Sequence, residues 1–175
     1  LNLGYPGGPK IEELAKKGDE NRFVLPKPIL NRGGCNLSFA GLKTAILRLK
    51  EFIKTDKDKN DLAASFQKTV LDILYKKTKK AIEQHLELYP KNRTLVVAGG
   101  VAANKQIRIT LEKLCQEEKF NIYFPDLKLC TDNAAMIALA GLERYKKKKF
   151  DKHDFEANPR WQLDSKAKFL KGAGV

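Results

Sequence analysis

Hydrophobic side chains recur every three or four residues in three stretches of the chain, which is the spacing of helices with one buried face. The spacing predicts a short helix over residues 9–18 and an amphipathic helix over 38–53 that Ser38 caps. It also predicts a long helix from Asn60 to about Tyr89, which Pro90 ends. We therefore expect the first half of the chain to be helical.

Polar connections separate these helices. Residues 19–37 are rich in proline, glycine and asparagine, and they predict a loop with one short strand at RFVLP. The segment KTDKDKND predicts a charged connection before the long helix. Gly18 suits the stop of the first helix, as glycine commonly follows a helix C-terminus.

The second half alternates between apolar runs and helical patterns. TLVVAGG predicts a buried parallel strand, and FNIYFP predicts a second strand. A helix over 102–118, with Ile107, Leu111 and Leu114 inward, lies between them, and an alanine-rich helix begins in TDNAAMIALAG. This order predicts an α/β layer fold. So few strands for 175 residues, and an opening LNLGYPGGP without Met, lead us to expect a fragment of a longer protein.

Composition narrows the class of protein. The apolar fraction of 42% is enough for a packed core, and no apolar run approaches the ~20 residues that span a bilayer, so we expect no membrane partner. The net charge of +13 favours an anionic partner, nucleic acid first, although lysines that only solvate the surface explain it equally. Lys76–Lys80 and Lys146–Lys149 are the candidate phosphate contacts.

The cysteines and histidines form no recognisable site. Three cysteines without a CxxC pair argue against a disulfide framework and for a reducing compartment, the cytoplasm. His85 and His153 share no metal-ligand spacing, and we expect both to be solvated. No Ser-His-Asp or Cys-His arrangement stands out, so no catalytic group is identified.

Two glycines and an asparagine lie where TLVV meets the next helix. Gly99 and Gly100 lack a Cβ, so their backbone can approach a phosphate, and the start of a helix favours an anion. Asn104, about one turn into the predicted helix, can offer its amide to a ribose or a phosphate. The pair of glycines can also serve only as a tight turn, because this is neither a P-loop nor a GxGxxG motif.

Two carboxylates follow the same pattern of alternatives. Asp132 in CTDNAAM, together with Thr131, is either an N-cap or a ligand of a metal or nucleotide. Glu12 follows Gly8 by four residues in the first predicted helix. It is either an acid in the first turn of that helix or, with Gly8, a bracket around a ribose hydroxyl pair.

Five motifs in order resemble one known family. LGYPGGP, SFAGLKT, VVAGGVAANKQIR, CTDNAAMIA and PRW are similar, in sequence and separation, to motifs in the C-terminal half of the TsaD family. This family makes threonylcarbamoyladenosine in tRNA. The resemblance covers essentially the whole chain, and five ordered motifs make it specific.

The resemblance implies a fold, a reaction and partners. The fold would be the actin-like ATPase (ASKHA) fold, with residues 1–128 as the second domain and 129–175 completing the first. The reaction would transfer the threonylcarbamoyl group from threonylcarbamoyl-adenylate to the adenosine 3′ of the anticodon in ANN-decoding tRNAs. Partners would be tRNA, TsaB-like and TsaE-like proteins, and the missing N-terminal half.

The resemblance also implies roles for individual residues. Asp132 would bind a divalent metal, iron first and zinc second. Asn104 would contact the threonylcarbamoyl-adenylate, or ATP, in the cleft. The remaining positions would approach the same ligand, at its ribose and base or at its phosphate: Gly8, Glu12, Gly99 and Gly100.

The chain also departs from the family. The HxxxH metal ligands of the family belong to its N-terminal half, and neither His85 nor His153 replaces them. One carboxylate does not make a transition-metal site, so we expect this chain alone to be inactive and to bind metal poorly. We also expect it to expose apolar surface where the missing domain would pack, with the CTDN helix as its least well supported element. Rival interpretations are a carbamoyltransferase or sugar kinase of the same superfamily, a metal-dependent glycoprotein endopeptidase, and a non-enzymatic remnant that binds tRNA or a partner.

Overall fold

The structure is a computed structural model, and it describes residues 1–152 together with 154, 156, 157 and 159. In this part of the chain five α-helices and two β-strands follow in the predicted order. They are α1 (Gly7–Ala15), α2 (Ala40–Leu49), α3 (Asp56–Leu88), β1 (Thr94–Val96), α4 (Lys105–Glu118), β2 (Asn121–Tyr123) and α5 (Ala134–Lys146). The α/β class predicted from the sequence is confirmed.

The chain divides into two compact units, Leu1–Thr131 and Asp132–Val175. The first unit contains α1 to α4 and the sheet. In the second unit, none of the residues of α5 is buried, and its large apolar side chains are exposed. This exposure agrees with a weakly supported CTDN helix, while the packing surface of a missing domain stays a prediction. The assignment of residues 1–128 and 129–175 to two actin-like domains stays a prediction.

The two strands form a small parallel sheet. Leu95 pairs with Ile122, with one pair on either side, and the amide of Val97 extends the ladder to the carbonyl of Tyr123 at 3.0 Å. The parallel direction is as predicted, but the prediction of a buried strand is wrong. Val96 is 66% exposed, because the described part of the sheet has two strands and no layer covers that side chain.

The long helix begins earlier than the apolar pattern indicates. Thr55 accepts a hydrogen bond from the amide of Asp58, and the Asp58 carboxylate accepts one from the amide of Thr55, which is a complete capping box. The segment KTDKDKND is therefore not a connection, because most of it forms the first turns of α3. Lys54, Asp56 and Lys57 are exposed, whereas Asp58 and Asp61 are buried.

Two apolar clusters lie against α3. One joins α3, α4 and the sheet, and its buried members are Ile82, Ile107, Leu111, Leu114, Cys115 and Phe120. The other joins α2, α3 and the loop after α1, around Leu25, Leu42 and Leu62. The three predicted inward residues of α4 are all buried, so the helical periodicity identified this face correctly.

Two local predictions in the first half are wrong. Ser38 does not cap α2, since Phe39 occupies the N-cap position and offers no side-chain hydrogen bond. The segment RFVLP forms no strand. It is part of the loop between α1 and α2, where the Phe23 amide donates a hydrogen bond to Ser65 of α3 and the Leu25 side chain enters the second cluster. An apolar side chain in a loop gives the same local pattern as a short strand.

Gly18 matters for a different reason from the one the sequence suggests. The helix α1 ends at Ala15, and Gly18 lies against the backbone of α3. A Cβ at this position would lie 2.0 Å from the carbonyl oxygen of Asn60. The glycine therefore permits close approach of two backbone segments, and no left-handed conformation is involved.

A group of charged side chains fastens the loop after α1 to the start of α3. The buried carboxylate of Asp61 accepts hydrogen bonds from Lys57 at 2.6 Å, from the amide of Asp19 at 2.8 Å and from Arg22 at 2.8 Å. Arg22 also pairs with Asp58 at 2.5 Å. The Lys57 hydrogen bond, followed by those of Asp19 and Arg22, lowers the pKa of Asp61 well below its usual value.

Some predicted features fall on other parts of the chain. His153 and, in the PRW motif, Arg160 and Trp161 lie outside the described residues. Among the residues that are described, no helix is long and apolar enough to cross a membrane.

Candidate functional site

The connection from β1 to α4 carries the two glycines and Asn104. Gly99 has a φ of 93°, a conformation that side chains disfavour, so this residue is a glycine for backbone reasons. Gly100 starts the short 3-10 turn Gly100–Ala103, has no left-handed φ and has open space where a Cβ would lie. The turn explanation therefore accounts for Gly99 and leaves Gly100 unexplained.

Asn104 is the N-cap of α4, and its predicted position one turn inside the helix is wrong. Its Oδ1 accepts a hydrogen bond from the amide of Ile107 at 3.0 Å. Its Nδ2 donates to Oε1 of Gln67 on α3 at 3.2 Å. An amide nitrogen carries two hydrogens, so one N–H of Asn104 remains for a ligand after the Gln67 contact.

Glu12 lies in the second turn of α1, and the interpretation as a first-turn acid of that helix is wrong. Its Oε1 instead accepts a hydrogen bond from the amide of Lys105 at 2.9 Å. Lys105 is the first residue of α4, so the carboxylate lies at the positive end of the α4 dipole. An acid on α1 thus accepts the hydrogen bond of an amide at the start of α4 that has no partner within its own helix.

Five predicted site residues lie on the two segments of the first unit that this contact joins. Gly8 lies one turn before Glu12 on α1. The other three precede Lys105 directly in the chain: Gly99, Gly100 and Asn104. The sequence separates the two groups widely, and the tertiary fold joins them.

The same contact limits where a phosphate can bind. The amides of Lys105 and Ile107 at the start of α4 are already bonded to Glu12 and Asn104. A second anion there would meet the carboxylate of Glu12, which repels it. The backbone of Gly99 and Gly100 is the nearby surface that remains open to a phosphate.

An apolar cleft lies between α1, α2 and α3 in the first unit. It has a volume of about 290 Å³ and is lined by Gly7, Ile11, Ile46, Leu62 and Phe66, among others. Apolar walls suit the face of a nucleobase better than a phosphate.

Asp132 begins the second unit and is exposed. Asn133, not Thr131 or Asp132, is the N-cap of α5, and its Oδ1 accepts a hydrogen bond from the amide of Met136 at 3.0 Å. The N-cap interpretation of Asp132 is therefore wrong, and its role as a ligand stays a prediction.

The side chains present do not form a metal site on their own. Within the described residues no group of three or more His, Cys, Asp or Glu side chains could hold a metal ion. Transition metals in proteins commonly have three or four protein ligands. We therefore derive no chemical step through a metal from this chain.

Sequence reasoning missed two residues of the site. Gln67 is a polar residue within the apolar stretch of α3, and a single amide there forms no recognisable motif. Arg108 of α4 makes three hydrogen bonds across the carboxyl ends of both strands. Its position in VVAGGVAANKQIR was the only available indication.

The candidate basic contacts are fewer than the sequence indicates. Lys77 is 4% exposed and donates hydrogen bonds to the carbonyls of Arg32 and Gly34, so it is not available to a phosphate. Lys79 pairs with Glu118 at 2.9 Å, which raises the pKa of its ammonium group. In this stretch of α3, Lys76 and Lys80 are the exposed lysines.

Comparison with known proteins gives one consistent family. The sequence profile described as "TsaD: tRNA N6-adenosine threonylcarbamoyltransferase" matches residues 1–139. A protein of that name from Pelagibacter ubique is 59% identical over 176 residues, which cover 100% of this chain and 49% of the relative. Those from Ruegeria sp. and Rickettsia rickettsii are 48% and 46% identical, with 99% and 94% of this chain and 49% of each relative covered. The chain thus spans about half the length of these curated relatives.

Proposed function

Because the chain belongs to the TsaD family, we propose that it is the nucleotide-contacting half of a tRNA adenosine threonylcarbamoyltransferase. The reaction is the transfer of the threonylcarbamoyl group from threonylcarbamoyl-adenylate to the N6 amine of the adenosine 3′ of the anticodon in ANN-decoding tRNAs. The observation that carries this proposal is the bond between Glu12 and Lys105, since it assembles the candidate adenylate contacts.

We assign the adenylate to the region between α1 and the β1–α4 connection. The second oxygen of the Glu12 carboxylate accepts a hydrogen bond from a ribose hydroxyl, and the remaining N–H of Asn104 donates to the same ligand. The phosphate approaches the backbone of Gly99 and Gly100. The base enters the apolar cleft that is lined by Gly7, the chain neighbour of Gly8.

The chemistry in this scheme consists mainly of positioning. The N6 amine of adenosine attacks the carbonyl carbon of the threonylcarbamoyl group, the bond to the adenylate phosphate breaks, and AMP leaves. The amine loses one proton, and no residue of the described structure is assigned as its acceptor. Fixed contacts to the adenylate hold the carbonyl carbon where the amine can reach it.

The actin-like ATPase fold is part of the proposal. Support comes from the family relationship and from the α/β layers with a small parallel sheet. In an open α/β sheet, ligands bind beyond the carboxyl ends of the strands. The β1–α4 connection, with Gly99 and Gly100, leaves β1 at that end.

We also propose that Asp132 contributes one carboxylate to a divalent metal, iron before zinc, whose other ligands lie outside this chain. An exposed carboxylate without a capping role supports this assignment. The tRNA contacts are assigned to exposed lysines, Lys76 and Lys80 among them, because phosphate contacts dominate nucleic-acid affinity. TsaB-like and TsaE-like partners complete the proposed assembly.

A transfer assay with labelled threonylcarbamoyl-adenylate and unmodified tRNA tests the function. The chain is assayed alone, and then joined to the half of the Pelagibacter ubique relative that it does not match. We expect label on tRNA only from the chimera, at a level within about tenfold of the whole relative. The unmatched half alone is the control.

Two results would contradict the proposal. Transfer by the unmatched half alone would show that this chain supplies nothing to the reaction. No transfer by a folded, metal-supplied chimera, with the whole relative active, would leave this chain as a binding remnant. Salt-sensitive tRNA binding without adenylate binding would support that alternative.

A further inference from the structure

Arg108 lies in the second turn of α4 and contacts both connections that follow the strands. Its Nε donates a hydrogen bond to the carbonyl of Ala102 at 2.6 Å. Its Nη2 donates to the carbonyl of Pro125 at 3.0 Å and lies 3.4 Å from Sγ of Cys130. The guanidinium stacks over the ring of Phe124, with 4.7 Å between Cζ and the ring centre.

These contacts join two segments that the sheet alone does not align. Ala102 belongs to the connection after β1, which carries Gly99 and Gly100. The segment Phe124–Cys130 follows β2. A two-stranded ladder of three residue pairs holds the strands together, but its hydrogen bonds end before either connection reaches Ala102 or Cys130.

The side chain of arginine suits this task. Its planar group offers several N–H donors in a fixed geometry and can stack on an aromatic ring at the same time. Ala102 and Cys130 are 2% and 3% exposed, so these contacts lie where water competes little. A lysine would keep one charged donor group. It would lose the planar arrangement of several N–H donors and the stacking on the ring of Phe124.

We propose that Arg108 is a positioning residue for the transfer reaction. It sets the separation between the Gly99–Asn104 connection and the Phe124–Cys130 connection. The first connection carries the proposed phosphate contact, and the second ends two residues before Asp132 in the sequence. This inference rests on the proposed function and adds to it a residue that does not touch the adenylate.

Arg93 provides a matched control. It lies directly before β1 and contacts the C-terminal end of α4. Its Nη1 donates to the carbonyl of Glu118 at 3.1 Å, and its guanidinium lies 5.9 Å from the ring centre of Phe120. The kinds of contact are the same, but they lie at the amino end of β1 and the end of α4. A purely structural role would make the two arginines equivalent, apart from the greater exposure of Arg93.

The experiment uses the chimera with the unmatched half of the Pelagibacter ubique relative. Arg108→Lys and Arg93→Lys are compared for thermal unfolding, for kcat, and for the separate KM values of threonylcarbamoyl-adenylate and tRNA. We expect Arg108→Lys to unfold at the lower temperature, because its contacts reach buried partners. We expect Arg108→Lys alone to raise the adenylate KM by about tenfold, with the tRNA KM within about twofold, because misplacement of a contact weakens one substrate selectively.

Each result decides between the alternatives. Equal adenylate KM values for the two variants would overturn the positioning role and leave the proposed function intact. An unsubstituted chimera that neither binds adenylate nor transfers would overturn both. If Arg108→Lys does not fold, Phe124→Leu removes the stacking ring and keeps an apolar side chain against the first cluster. The same selective rise in the adenylate KM is then expected, and its absence would overturn the inference.

Discussion

The amide of Lys105 donates a hydrogen bond to the carboxylate of Glu12 over 2.9 Å, across 93 residues of sequence. The Glu12 carboxylate thereby places a negative charge at the positive N-terminal end of α4, although Glu12 belongs to α1. The contact also excludes a phosphate from the first amide of α4. Glu12 is therefore a structural cap of α4, and the proposed function adds a hydrogen bond from a ribose hydroxyl to its second oxygen.

Replacement of Glu12 by alanine tests that double role. The loss of the cap is expected to lower the free energy of unfolding by about 0.3–1 kcal/mol. The loss of the ribose contact is expected to weaken binding of AMP to the chimera by about tenfold, which corresponds to ~1.4 kcal/mol. Calorimetry of thermal unfolding and of AMP binding measures the two effects separately.

The ribose assignment has its own control. AMP and its 2′,3′-dideoxy analogue should differ in affinity for the unsubstituted chimera and bind equally to Glu12→Ala. Glu13→Ala, next in the chain and exposed, should change neither affinity. A dideoxy analogue that binds the unsubstituted protein as tightly as AMP would remove the ribose contact from the scheme.

The two adjacent glycines should respond differently to alanine. Gly99→Ala forces a side chain into a φ of 93° and is expected to cost about 1–3 kcal/mol of stability. Gly100→Ala meets open space and should leave the unfolding temperature unchanged. If the backbone of Gly100 contacts the adenylate phosphate, Gly100→Ala should nevertheless weaken adenylate binding. Unchanged affinity would mean that Gly100 has no ligand role.

Gly18→Ala should destabilise the chain through a backbone clash. The added Cβ would lie 2.2 Å from the carbonyl carbon of Asn60, and neither backbone can move aside without disturbing α3. We expect a loss of about 1–3 kcal/mol by denaturant unfolding. Gly33→Ala, whose Cβ meets no atom within 4 Å, is the matched control. Equal stability of the two variants would contradict the close packing of this loop on α3.

Acid should weaken the attachment of the loop after α1. Hydrogen bonds, chiefly from the Thr55 and Lys54 amides, lower the pKa of Asp58, as those of Lys57 and its neighbours do for Asp61. Carboxylates with a depressed folded-state pKa contribute stability above their unfolded pKa of about 3.9, and this contribution is lost as the pH falls further. The unfolding temperature should therefore drop steeply below about pH 4.

Asp61→Asn separates this effect from general acid unfolding. The variant should unfold at a lower temperature at pH 7 and show a shallower dependence between about pH 4 and pH 2. Asp72→Asn removes a carboxylate that pairs with Lys27 at 2.5 Å but is 37% exposed, and it should change both much less. The same pH profile in both variants would contradict a specific contribution from Asp61.

Helical periodicity was enough to place the helices and their inner faces. Ile107, Leu111 and Leu114 are buried as predicted, because the side chains of a helix repeat every 3.6 residues whatever surrounds them. The ends of helices were less predictable. The capping box at Thr55 starts α3 several residues before its apolar pattern begins. Asn104 is the N-cap of α4, whereas the pattern predicted it inside the helix.

The sequence by itself determined the family, the helices and the strand order, since each depends on local patterns or on ordered motifs. It also supplied the candidate site residues, apart from Gln67 and Arg108. Only the tertiary structure decided what those residues contact. It joined Glu12 to Lys105, occupied both polar atoms of Asn104, buried Lys77 and placed Arg108 between two connections. The physical reason is that hydrogen bonds and close packing between distant segments depend on distances that no local pattern along the chain encodes.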